Sequence, residues 1–181
     1  MWVLHEGLIP SSNVYRVCVL DDRDTDTLKD IIKKTTVIIR DNPESLPFIR
    51  KYADVDKVQG FLMDIINHKI GGFSILVFYD KELTLSGASL VARGSPWYAS
   101  DDVQVLNEEC TVSFKKGLGL ARALVYSLEL VANRICKKVH LIQFSNANAP
   151  CAKMLENTYK NRLGMSSYGT FYKEINSNGI F

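Results

Sequence analysis

Cysteine is scarce: four thiols in 181 residues (Cys18, Cys110, Cys136 and Cys151) form no C-x-x-C pair and no set at ligand spacing from the three histidines. This excludes a zinc finger and a disulfide framework, so no metal is expected and the thiols are expected to be reduced and mostly buried. Long apolar runs are missing too. Phe73 to Tyr79 is far too short to cross a bilayer, and Met1-Trp2-Val3-Leu4-His5-Glu6 has neither a basic region nor a small-residue cleavage site. A cytoplasmic protein without a membrane partner is the expectation. Charge of one sign is also lacking. With 22 lysines and arginines against 20 acids, the net charge of +2 creates no pull toward nucleic acid. The sequence contains no internal repeat, and neither G-x-G-x-x-G nor G-x-x-x-x-G-K-[ST] occurs.

What is present is the composition of an ordinary globule, 46% apolar and 23% charged, with length enough for one full core. Residues 1–13, which include Pro10-Ser11-Ser12, read as an N-terminal arm, and residues 14–181 as a single domain. Val14 to Leu20 has the β-branched alternation of a strand. The acidic run Asp21 to Asp26 then offers N-caps for a helix carrying Leu28, Ile31 and Ile32, and Asn42-Pro43 breaks the chain. A second helix is predicted from about Asp54 to Lys69, stopped by Gly71-Gly72. Phe73 to Tyr79 and Leu83 to Arg93 read as a hairpin turning at Asp80-Lys81-Glu82. Val103 to Val112 continues the meander. A long helix carries Leu118, Ala121, Leu124, Val125, Leu128 and Val131, and the apolar run Val139 to Phe144 suits the middle of a sheet. A helix over Cys151 to Asn161, capped by Gly164, and a last strand over Ser166 to Ile175 complete an α+β, or mixed α/β, order.

Between the third meander strand and the long helix lies Phe114-Lys115-Lys116-Gly117-Leu118-Gly119-Leu120-Ala121. A strand that turns through closely spaced glycines into a helix aims backbone N–H groups at one spot, where the helix dipole favours negative charge. Gly117 and Gly119 let the main chain approach an anion, and Lys115 and Lys116 add positive charge. A pyrophosphate is the implied ligand, although glycines and lysines at such a junction are also common as a solvated helix end.

This run resembles the signature turn of the GNAT superfamily of acetyl-CoA-dependent N-acetyltransferases, [RQ]-x-x-G-x-[GA]. Both glycines match, and Phe114 stands where the family has Arg or Gln. The resemblance spans roughly Val14 to Ile175, mostly as element order. It implies a central mixed, mostly antiparallel sheet flanked by helices, with acetyl-CoA as cofactor and an amine-bearing acceptor as partner. Thr111, Val112, Lys115, Lys116, Gly117, Leu118, Gly119, Leu120, Ala121 and Asn148 are the cofactor-binding residues it points to, with Asn146 an alternative to Asn148. Glu108 and Glu109 are the candidate bases for the amine, since neighbours on a strand alternate and one of the two should face the cleft. Their other reading is an acidic bulge or ion-pair partners for the lysines. Tyr159 is the candidate acid for the departing thiolate, five residues before Gly164 where the family has four; Tyr126 and Tyr168 compete with it. Trp97 and Tyr98 would line an acceptor pocket or cap the meander. His5, His68 and His140 read as structural or solvated. A second function class stays open: a GNAT-like fold without catalysis, serving as a binding or structural component of an assembly such as a virus particle, or as a homo-oligomer.

Overall fold

In the computed structural model, residues 1–41, 54–94, 104–134 and 139–144 are described. The six strands β1 (Trp2–Glu6), β2 (Arg16–Val19), β3 (Phe73–Tyr79), β4 (Leu85–Gly94), β5 (Gln104–Ser113) and β6 (Val139–Phe144) form one sheet in chain order. Pairing is antiparallel from β1 through β5 and parallel between β5 and β6. A parallel pair needs a crossover long enough to span the sheet, and α3 (Leu120–Arg134) supplies it. The other helices are α1 (Thr25–Asp41) and α2 (Val55–Ile66), the latter capped by Asp54, whose carboxylate accepts from Asp56 N and Lys57 N.

Alternation along β3 explains the layering. Leu76 and Phe78 join the core under Ala123, Leu124, Leu128 and Val131 of α3, while Ile75 and Val77 meet Leu28 and Ile31 of α1 and Ile65 and Ile66 of α2. A strand covered on both faces reads as a continuous apolar run, as Phe73–Tyr79 does. The sheet is therefore the middle of three layers.

The opening segment is where the sequence reading and the structure differ. Residues expected to form an arm supply β1, which pairs with β2 at the sheet edge. Leu4 and Ile9 are each only 1% exposed and belong to the core on the α3 side. Burying each stabilises by about 1.5–3 kcal/mol, enough to hold a segment whose polar Pro10-Ser11-Ser12 stretch forms just the connector. Trp2 and Val3 remain exposed, which hides the strand's alternation from the sequence. Two other boundaries shift by a residue or two: β4 begins at Leu85 and α3 at Leu120, leaving Leu118 in the turn before it.

Candidate functional site

The turn entering α3 is gripped from two flanks. Gly117 and Gly119 lie in the left-handed region, at φ +71° and +68°, where a Cβ is strained. A Cβ on Gly117 would meet nothing within 4 Å, whereas one on Gly119 would lie 3.0 Å from Ser11 O and from Ser12 Cα. On one flank Asn13 donates its main-chain N–H to Leu118 O at 2.8 Å and its Nδ2 to Gly117 O at 3.0 Å. Arg122 Nη1 donates to Ser11 O at 2.9 Å. On the other flank Lys115 Nζ donates to Asp80 Oδ2 at 2.9 Å. The main-chain N–H groups from Lys115 to Ala121 donate to no described residue. They lead into a helix whose first turn carries no acid, so its field favours an anion there.

Asp80 is a residue the sequence reading did not single out, because an acid in a hairpin turn normally points to water. Here its carboxylate is buried and also accepts from Glu82 N and Thr84 N at 3.0 Å and from Ser86 Oγ at 3.2 Å. The Lys115 ammonium, with those main-chain donors and against the cost of burial, holds its carboxyl down to about 2. The charge of Lys115 is thus paired within the protein. Lys115 and Lys116 are both exposed, but Lys116 pairs with no described residue, which leaves its charge uncompensated at the turn among the described residues. Phe114, at the Arg or Gln position of the resembled signature, packs its ring on the core beneath α1 and α2, with Lys34 Nζ 5.8 Å from its centroid. Its main-chain N–H donates to Ser86 O at 2.9 Å, binding the start of the turn to β4.

The candidate bases lie at a β-bulge. Leu90 pairs with Cys110 and Val91 with Glu108, so Glu109 is the extra residue on β5. Cross-strand partners share a face. Val91 belongs to the core under α3, which puts Glu108 on that face, and Leu90 packs toward α1 and α2, which puts Cys110 on the other. Glu109 is exposed at the bulge itself. Simple alternation, on which the sequence reading relied, is broken here. Within the described residues the parallel ladder runs as far as Glu108 against Phe144, next to the bulge. Burial, with the neighbouring Glu108 charge, pushes the Cys110 thiol up to about 11, which leaves it an unreactive thiol. Thr111 Oγ1 and Ser89 Oγ are 2.8 Å apart across β5 and β4.

Glu108, Glu109, Thr111 and Val112 therefore lie on the strand that feeds the turn, and Lys116 through Ala121 lie on the turn or the first residues of α3. Tyr126 is placed elsewhere: its ring stacks edge-on against His5 of β1, centroids 5.1 Å apart, at the sheet edge remote from β5 and β6. His5 also contacts Gly7 O through Nε2 at 3.0 Å, a structural role. Tyr159, Tyr168, Asn146, Asn148, Trp97, Tyr98 and Gly164 lie outside the described residues. Among the described residues no group of three or more His, Cys, Asp or Glu is placed to hold a metal ion, and no helix is long and apolar enough to cross a membrane.

No protein-family model and no curated protein matches the chain. Solved structures do. A GNAT family acetyltransferase from Staphylococcus aureus subsp. aureus is similar with a TM-score of 0.53 and 14% identity, over 88% of this chain and 97% of that one. An aminoglycoside acetyltransferase from an uncultured soil metagenomic sample has a TM-score of 0.61 and 12% identity, over 89% and 97%. A predicted acetyltransferase from Clostridium acetobutylicum, solved with acetyl-CoA, has a TM-score of 0.56 and 14% identity, over 88% and 94%. Identities this low speak for architecture alone, and at that level the conclusion is plain: the chain has the GNAT acetyltransferase fold.

Proposed function

We propose that the chain transfers an acetyl group from acetyl-CoA to a primary amine of an acceptor molecule. The observation that carries this reading is the run of main-chain N–H groups from Lys115 to Ala121, which donate to no described residue, beside a Gly117 that leaves open space where a Cβ would stand. Such a cradle at a helix N-terminus fits a diphosphate, because several aligned donors and the helix field act on one doubly charged group. Lys116 adds an exposed cation, and Thr111, Val112 and Asn148 complete the residues that would hold the donor.

When bound, acetyl-CoA supplies the acyl carbon, with a C–N bond formed as the C–S bond breaks. In this reading Glu108 or Glu109, directly or through a water, takes a proton from the ammonium or the attacking amine, and Tyr159 gives a proton to the departing sulfur. The bulge at Glu109 supports the reading because it offsets the two carboxylates, so that one is presented to solvent while the other stays on the sheet face. A thermal-shift titration tests the proposal. Acetyl-CoA at about a hundred times its Kd should stabilise by about 2.7 kcal/mol, a rise in Tm of roughly 5–10 °C for a domain of this size. No shift at millimolar acetyl-CoA would overturn the acetyl-transfer reading and leave a GNAT fold used for binding or assembly.

A further inference from the structure

We infer that the connector between β1 and β2 is a positioning device for the anion turn, with Asn13 as its central residue and Arg122 as its second anchor; this rests on the acetyl-transfer reading and deepens it. A turn with two left-handed glycines has little steric preference for the orientation of its peptide planes. N–H groups converge on an anion only if those planes are fixed. Asn13 fixes two of them, across 104 residues of chain, by holding Gly117 O through Nδ2 and Leu118 O through its main-chain N–H. In a planar trans peptide the carbonyl and the following N–H point in opposite directions. Holding Gly117 O toward Asn13 therefore turns the Leu118 N–H away from the connector, and holding Leu118 O does the same for the Gly119 N–H.

Two further contacts hold the connector in place. Arg122, in the first turn of α3, binds Ser11 O, so the donor helix and the connector move together. Gly119 packs so closely that a Cβ would be 3.0 Å from Ser11 O and Ser12 Cα. The second glycine of the signature is thus required here by contact with the connector, while the first leaves room for the ligand. The Asn13 side-chain bond is solvent-exposed, so its effect on global stability is small and its effect on turn orientation is the larger one.

Inorganic pyrophosphate reads the turn without needing acetyl transfer. In the wild-type chain, titrated pyrophosphate should shift the Leu118 and Gly119 amide resonances, and Asn13→Ala should weaken that binding about tenfold with Tm nearly unchanged. In acetyl-transfer assays the ratio of kcat/KM for acetyl-CoA over acetyl-pantetheine, which lacks the diphosphate, should fall about tenfold in the same variant, mainly through KM. Equal losses on both donors would mark Asn13 as merely structural and overturn the inference, as would pyrophosphate binding identical to wild type. Should Asn13→Ala fail to fold, Arg122→Gln is read by the same two ratios. Pyrophosphate binding that depends on Asn13 in a chain without acetyltransferase activity would uphold the device and overturn only the acetyl-transfer reading.

Discussion

Gly117 and Gly119 share a left-handed backbone yet differ in what a side chain would encounter, and this makes them unequal probes of the site. Gly117→Ala should cost about 1–2 kcal/mol from its dihedral alone. Gly119→Ala adds a 3.0 Å contact with the Ser11–Ser12 backbone and should cost about 2–4 kcal/mol by urea denaturation. Loss of ligand binding in a Gly119 variant would therefore be mixed with loss of stability, whereas Gly117 tests the anion site more cleanly. Asp80 has a pH signature. Its folded carboxyl lies near 2 against an ordinary 3.8, so its contribution is complete above about pH 4 and is lost as pH falls through about 2. Asp80→Asn should lower stability by about 1–3 kcal/mol at pH 7, with the difference from wild type shrinking across that acid window. A difference that stayed constant down to pH 2 would show that the Asp80–Lys115 pair is not its source.

At the scale of elements, β5 carries the test of the candidate bases. If Glu108 or Glu109 deprotonates the amine, the Gln variant of the responsible residue should lose roughly two to four orders of magnitude in turnover with acetyl-CoA binding retained. Loss of binding together with turnover would identify a structural role. Which of the two bears the role was not legible from alternation, because the bulge inserts a residue that period-two reasoning does not count. The helix behind the turn is easier to read. The spacing of Leu124 and Leu128 in the sequence already indicates the buried face of α3, and both are essentially unexposed. Leu128→Ala should cost about 2–5 kcal/mol in equilibrium unfolding through the cavity it leaves.

At the scale of the whole molecule, Tyr159 belongs to the part of the proposal that sequence resemblance alone supplies. Tyr159→Phe should slow acyl transfer at least tenfold, about 1.4 kcal/mol of barrier, with unfolding midpoints little changed; an unaltered rate would remove it from the reaction. The elements legible in the residues alone are those whose signals are local: the β3–β4 hairpin, the apolar faces of α1, α2 and α3, the strand β6, and a glycine turn opening a helix. Those features follow from residue periodicity and turn chemistry, which act over a few positions. Long-range packing is what makes the opening residues a strand, pairs Lys115 with Asp80, seats Phe114 beneath α1 and sets Asn13 against the turn. Each of these joins residues far apart in the chain through burial or a shared hydrogen bond. Such partners leave no periodic trace, because the energy that selects them exists only once the sheet has brought them together.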